Sequence, residues 1–390
     1  MQEAITETAP SVALAEDSGP MVNVRTKRFY RPELDILRFF AFLQVFYCHA
    51  LPADAQAYKR LGPQMAEWLS SIVQSGGLGV DLFFTLSAYL ITELLIREHE
   101  RFGRINVRDF YIRRALRIYP LYYGFLAIIM VLGAIGIGGH LDLRYWLLFV
   151  LPLGNWACVL WGFPPSVAAH LWSVSIEEQF YFIYPLVMRF LGVGRIVKVA
   201  ISMLVVTNLI RVLEVAAGAT HPAVWCNTLA RLDPIICGML AAFWLRGGAL
   251  HLSNPRRITM AAVGVFLLFV TARYTRAEGP SSLAFYPIVA AATTIILLAS
   301  LMNRDVPKNW FMNLLVYLGR ISYGLYVWHL LALDLAGRWQ IGSRYIVSLA
   351  TKVILGFVLT VGFSVISYAF YESYFLRLKE KFTFIPSRPV

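Results

Sequence analysis

The sequence predicts an all-α, polytopic membrane protein with about ten transmembrane helices, and three observations carry that expectation. Of 390 residues, 58% are hydrophobic and 15% charged, with mean hydropathy +0.61, whereas soluble domains are about 25% charged. Apolar stretches of about 20 residues recur, each long enough to cross roughly 30 Å of hydrocarbon as a helix. Lys and Arg lie in short clusters between these stretches, so the net charge of +12 speaks to topology rather than to nucleic acid.

Apolar runs bounded by charges and by Pro/Gly clusters place spans at 33–51, 78–96, 119–138, 172–191, 197–216, 229–246, 257–272, 283–301, 314–336 and 346–370. The segment 144–153 (RYWLLFVLPL) is too short to span and reads as interfacial or re-entrant. With the N-terminus inside, all but ten of the 35 Lys and Arg fall on the cytoplasmic side, as the positive-inside rule requires. Both termini are then cytoplasmic. Residues 1–32 read as a disordered tail, 33–376 as the membrane domain and 377–390 as a C-terminal tail. Residues 1–24 contain no Lys or Arg, so they lack the basic start of a signal peptide.

Several ionisable residues fall in or beside the spans, where they are costly and functional by default. Asp35, Arg38 and His49 sit in the first. Arg38 and His49, eleven residues apart, share a helix face about 16 Å apart along the axis. Arg38 also suits a snorkelling anchor, and His49 an interfacial histidine. In RDFYIRRALRIYP, Arg113, Arg114 and Arg117 can form one cationic patch, suited to multivalent phosphate or to an ordinary positive-inside loop. Asp81 opens the second span, while Glu177 and Glu178 open the fourth at its outer end. These acids suit either capping or proton chemistry. The arginines thus collect at the inner end and His49, Asp81 and Glu177 at the outer end, an arrangement that fits a ligand shaped like coenzyme A. Histidine titrates nearest neutrality, which makes His49 the natural general base for a hydroxyl.

In these residues the chain resembles the membrane acyltransferase-3 family. The Arg38-to-His49 spacing, GVDLFFTLSAYLIT, FYIRRALRIYP, LWSVSIEEQFYFIYP and LGRISYGLYVWH follow its motifs in order. Ala88 replaces a more usual Gly, and Glu178 stands at a position that varies in the family. The resemblance implies a ten-helix membrane domain in which acyl-CoA, acetyl-CoA by default, enters from the cytoplasm as donor substrate. His49 with Glu177 and Asp81 is then catalytic. Arg38, Arg113, Arg114, Arg117 and Arg320 hold the acyl-CoA, supported by Asp35, Trp172, Ser173 and Tyr323. The implied acceptor is a hydroxyl of a glycan or related molecule at the outer face of an inner membrane. The chain ends soon after its last span and is expected to act without the hydrolase-like domain that some members carry.

The rival readings are a transporter or flippase for a polar lipid or glycan, since embedded charge serves transport equally, and an inactive acyl-CoA sensor. No metal is expected, because the four cysteines lack zinc-site spacing. Cys158 and Cys226 are expected outside, either bridged or as free thiols.

Overall fold

The protein is described from a computed structural model, over residues 29–246, 252–275, 277–302, 309–339, 345–383 and 385. Most of the expected N-terminal tail lies outside these residues. Helices dominate: α1 (Pro32–Ala50), α2 (Pro63–Ser75), α3 (Gly79–Phe102), α4 (Val107–Ala134), α5 (Leu143–Val150), α6 (Gly154–Trp161), α7 (Trp172–Leu191) and α8 (Val193–Ala216). They continue with α9 (Ala223–Cys226), α10 (Asp233–Arg246), α11 (Asn254–Tyr274), α12 (Ser282–Leu301), α13 (Trp310–Arg320), α14 (Ser322–Arg338), α15 (Tyr345–Ser367) and α16 (Ser373–Glu380). Among the described residues the only β feature is one isolated bridge, Gly139 to Ser166.

Each expected span coincides with a helix, but ten crossings are not established. By length and composition six helical stretches among the described residues are apolar enough to cross a membrane, and eight if two bent pairs each count as one span. Helix α7 carries Glu177, Glu178 and Arg189. Helix α10 is described over 14 residues, up to Arg246 at the end of a described segment. The span expected at 314–336 is broken instead, with α13 and α14 meeting at 74°. Helix α4 begins at Val107 rather than 119, so the three arginines ride on its first turns. The segment expected to be interfacial forms only the short α5.

Local chemistry accounts for the ends. Helix α1 opens with Pro32 in its first turn and Glu33 and Asp35 near its N-terminus, where proline loses no hydrogen bond and carboxylates meet the positive end of the helix dipole. Helix α3 stops at Gly103, whose φ of 65° lets its N–H return to the His99 carbonyl at 2.8 Å.

Three apolar clusters hold α1 in place. Phe84, Phe125, Ile176 and Val327 join α3, α4, α7 and α14. Leu37, Leu86 and Val289 join α1, α3 and α12. Phe42, Phe46, Leu318 and Leu325 pack α1 onto α13 and α14. The α1–α13 approach depends on Gly319, because a Cβ there would lie 1.8 Å from the Asp35 carbonyl oxygen. Gly319→Ala is therefore expected to cost at least the ~1–3 kcal/mol of an overpacked contact, read as earlier thermal unfolding in detergent. Unchanged stability would mean that the two helices do not meet so closely.

Candidate functional site

A cavity of about 160 Å³ opens among α1, α3, α4, α7, α14 and α16. Arg38, Arg113, Arg114, Arg117, Glu177 and Tyr323 all face it. Arg38 donates to Asp35 at 2.9 Å, and the Tyr30 hydroxyl donates to the other Asp35 oxygen at 3.0 Å. Arg113 donates to Glu98 at 3.1 Å and to the Phe382 carbonyl at 2.8 Å. Arg114 instead lies 5.5 Å from the ring centres of Phe110 and Tyr181, with its Nε buried and unbonded. Arg117 makes no hydrogen bond or ion pair among the described residues. Positive charge held in a partly buried site without carboxylate partners is expensive, and it suits a ligand that arrives with several negative charges.

Arg320 borders the site only indirectly: its guanidinium lies over the Tyr30 ring and donates to the Tyr30 hydroxyl at 3.3 Å. Tyr323 donates to the Ile118 carbonyl at 3.0 Å. Glu177 accepts from Tyr181 at 3.1 Å and lies within electrostatic reach of Arg38 and Arg114. Its expected grouping with His49 is corrected here, since more than a turn of α7 carries it past Ser173 into the arginine cavity. Glu178 turns away toward Tyr119.

His49 stands at the other end of α1 and lines a second cavity of about 360 Å³ with Trp339, Tyr345 and Lys352. Its Nδ1 lies 2.8 Å from the Val45 carbonyl. A carbonyl can only accept, so Nδ1 carries the proton and Nε2 is left with its lone pair. His329 donates from Nδ1 to the Tyr326 carbonyl at 2.5 Å, which leaves its Nε2, 3.3 Å from His49 Nδ1, to accept. A third imidazole, His170, donates from Nδ1 to the Val167 carbonyl at 2.7 Å. Its ring centre is 4.9 Å from that of His329, and its Nε2 is buried without a partner.

Only a short wall separates the cavities. Ser173 and Tyr326 line the arginine cavity, their hydroxyls 2.6 Å apart, and Tyr326 donates to the His170 carbonyl at 2.9 Å. Behind them come His170, His329 and then His49. Sequence reasoning passed over His170 and His329, although His170 directly precedes one motif stretch quoted above and His329 ends another. Their signal was present as histidines just before one apolar helix and within another.

Asp81 lines neither cavity, which corrects its expected place beside His49. It receives Arg231 Nη2 at 2.8 Å and Nε at 3.3 Å, with both side chains buried. Arg231 lies 3.7 Å from the Trp225 ring centre and 5.1 Å from that of Trp172, so Trp172 supports this ion pair. Arg211 and Asp233 form a second buried pair. Cys158 and Cys226 are unbridged and both buried.

Comparison with known proteins shows the class to which this helical fold and its two cavities belong, an acyltransferase. The profile of a family described as an acyltransferase domain matches residues 31–369, and the chain belongs to that family. It is similar to the O-acetyltransferase OatA of Staphylococcus aureus strains NCTC 8325 and COL, in each case 28% identical across 92% of this chain. The chain spans 59% of the length of those relatives. No solved structure matches it.

Proposed function

We propose that this acyltransferase takes an acyl group, acetyl by default, from acyl-CoA in the arginine cavity. It passes the group to a hydroxyl of a glycan or related cell-envelope acceptor in the His49 cavity. The observation that carries the reading is one helix with a cationic cavity at one end and, at the other, an imidazole whose tautomer leaves Nε2 free. In this reading the arginine end faces the cytoplasm of a bacterial inner membrane, with both termini on that side.

Chemically, His49 Nε2 takes the acceptor's proton as its oxygen attacks the thioester carbonyl. The C–S bond breaks, and coenzyme A leaves as a thiolate that is reprotonated. As His49 becomes cationic, its Nδ1–H bonds to Val45 and His329 strengthen, because charge-assisted bonds are the stronger ones. O-acetylation is the activity named for the Staphylococcus aureus relatives. Mass spectrometry of envelope glycans from wild-type and deletion strains tests the whole reading, since the mass lost names both acyl group and carrier. Identical glycan profiles would overturn it.

Two narrower results are expected. Arg114→Ala weakens acyl-CoA binding more than acceptor binding, and Arg114→Lys restores it only in part, because lysine lacks the planar fork. Equal donor affinity in all three proteins would leave the arginines a purely topological role. A cysteine introduced near residue 104 is labelled only from the cytoplasm, and one near residue 276, itself outside the described residues, only from outside; the reverse pattern would invert the donor side.

A further inference from the structure

Lys379 belongs to none of the motifs above. It stands on α16, after a π-helical turn at Tyr368–Glu372 breaks the regular helix that follows α15. Beyond the turn, α16 packs along α4. The Tyr371 hydroxyl donates to the Pro120 carbonyl at 3.2 Å, and Arg113 donates to the Phe382 carbonyl just beyond α16. Lys379 and Thr383 consequently form part of the arginine cavity wall.

The charges there are unbalanced: Arg31, Arg38, Arg113, Arg114, Arg117 and Lys379 line the cavity against Asp35, Glu98 and Glu177. Arg38 has Asp35 and Arg113 has Glu98, while Glu177 reaches Arg114 only through space. Arg114, Arg117 and Lys379 have no ion pair or side-chain hydrogen bond among the described residues, and all three line the one cavity, where both arginines act electrostatically on Lys379. Glu380, the next residue, makes no ion pair with it, and Glu372, which accepts from Ser367 at 2.8 Å, reaches Arg117 only through space. Like charges gathered in one cavity repel. One carboxylate could balance only one of the three, whereas a ligand with several phosphate charges matches the set.

We propose that α16 is part of the donor site and that Lys379 completes, with Arg114 and Arg117, a subsite for the phosphates of the acyl-CoA. The inference rests on the donor reading above and adds the segment after the last long helix to the binding machinery. Lysine supplies a compact point charge on a flexible stem, suited to a phosphate at the rim, while the arginines present fixed forks.

The test is equilibrium binding of coenzyme A to the purified full chain in detergent. Lys379→Gln weakens binding about tenfold, the scale of one charge-assisted hydrogen bond, and Lys379→Arg recovers most of the loss. If Lys379→Gln binds like wild type while Arg114→Ala binds poorly, the inference is overturned and the donor reading stands. Wild-type binding by both would sink the two together. If Lys379→Gln and Lys379→Arg lose affinity equally, the side chain acts through packing rather than charge, which also overturns the proposal.

Discussion

A folded His49→Ala protein is expected to lose acyl transfer by about 10²–10⁴-fold, the range for a missing general acid–base group. The geometry makes this the largest catalytic effect in the molecule. Val45 and His329 both engage His49 Nδ1, so the ring is held with Nε2 toward the cavity. No other imidazole lines that cavity among the described residues. Coenzyme A binding should persist in the variant, because His49 does not line the arginine cavity and Arg38 stands about 16 Å away along α1. Steady-state turnover and donor binding, measured on one preparation, check both halves. Near-normal turnover in a well-folded variant would remove His49 from the mechanism.

The largest stability effect is expected at Asp81. Asp81→Ala leaves Arg231 buried beside Trp225 with its charge uncompensated, and breaking a buried pair from one side costs about 3–5 kcal/mol. Removing both charges is far milder, since apolar replacements of a buried pair are often neutral. Asp81→Ala should therefore unfold at markedly lower temperature, and Asp81→Leu with Arg231→Met should recover much of the stability and some activity. The outcome separates two roles for this carboxylate. A single variant with wild-type stability but no turnover would return Asp81 to the catalytic set, against the ion pair seen here.

Much of the architecture was legible because membrane solvation acts locally. A run of about 20 apolar residues declares a helix wherever it occurs, and every expected span meets one. The crossing count was less legible. Whether α13 and α14 form one span or two limbs at 74° depends on what packs into the corner, and Gly319 lets α1 do so.

The site divides the same way. Helical periodicity alone placed Arg38 and His49 on one face of one helix, and put Arg113, Arg114 and Arg117 into a single patch, because these relations run along a continuous backbone. Which residues meet across helices was beyond that reach. Asp81 pairs with Arg231, 150 positions away, and His49 meets His329 at a separation of 280. Glu177 lies with the arginines because of the depth at which α7 is seated against α3 and α4. Lys379 reaches them because α16 packs against α4. The sequence by itself determined the helices, their charged ends and the candidate base. Tertiary structure decided partners and sides of the wall, since packing brings together residues whose separation along the chain carries no periodic signal.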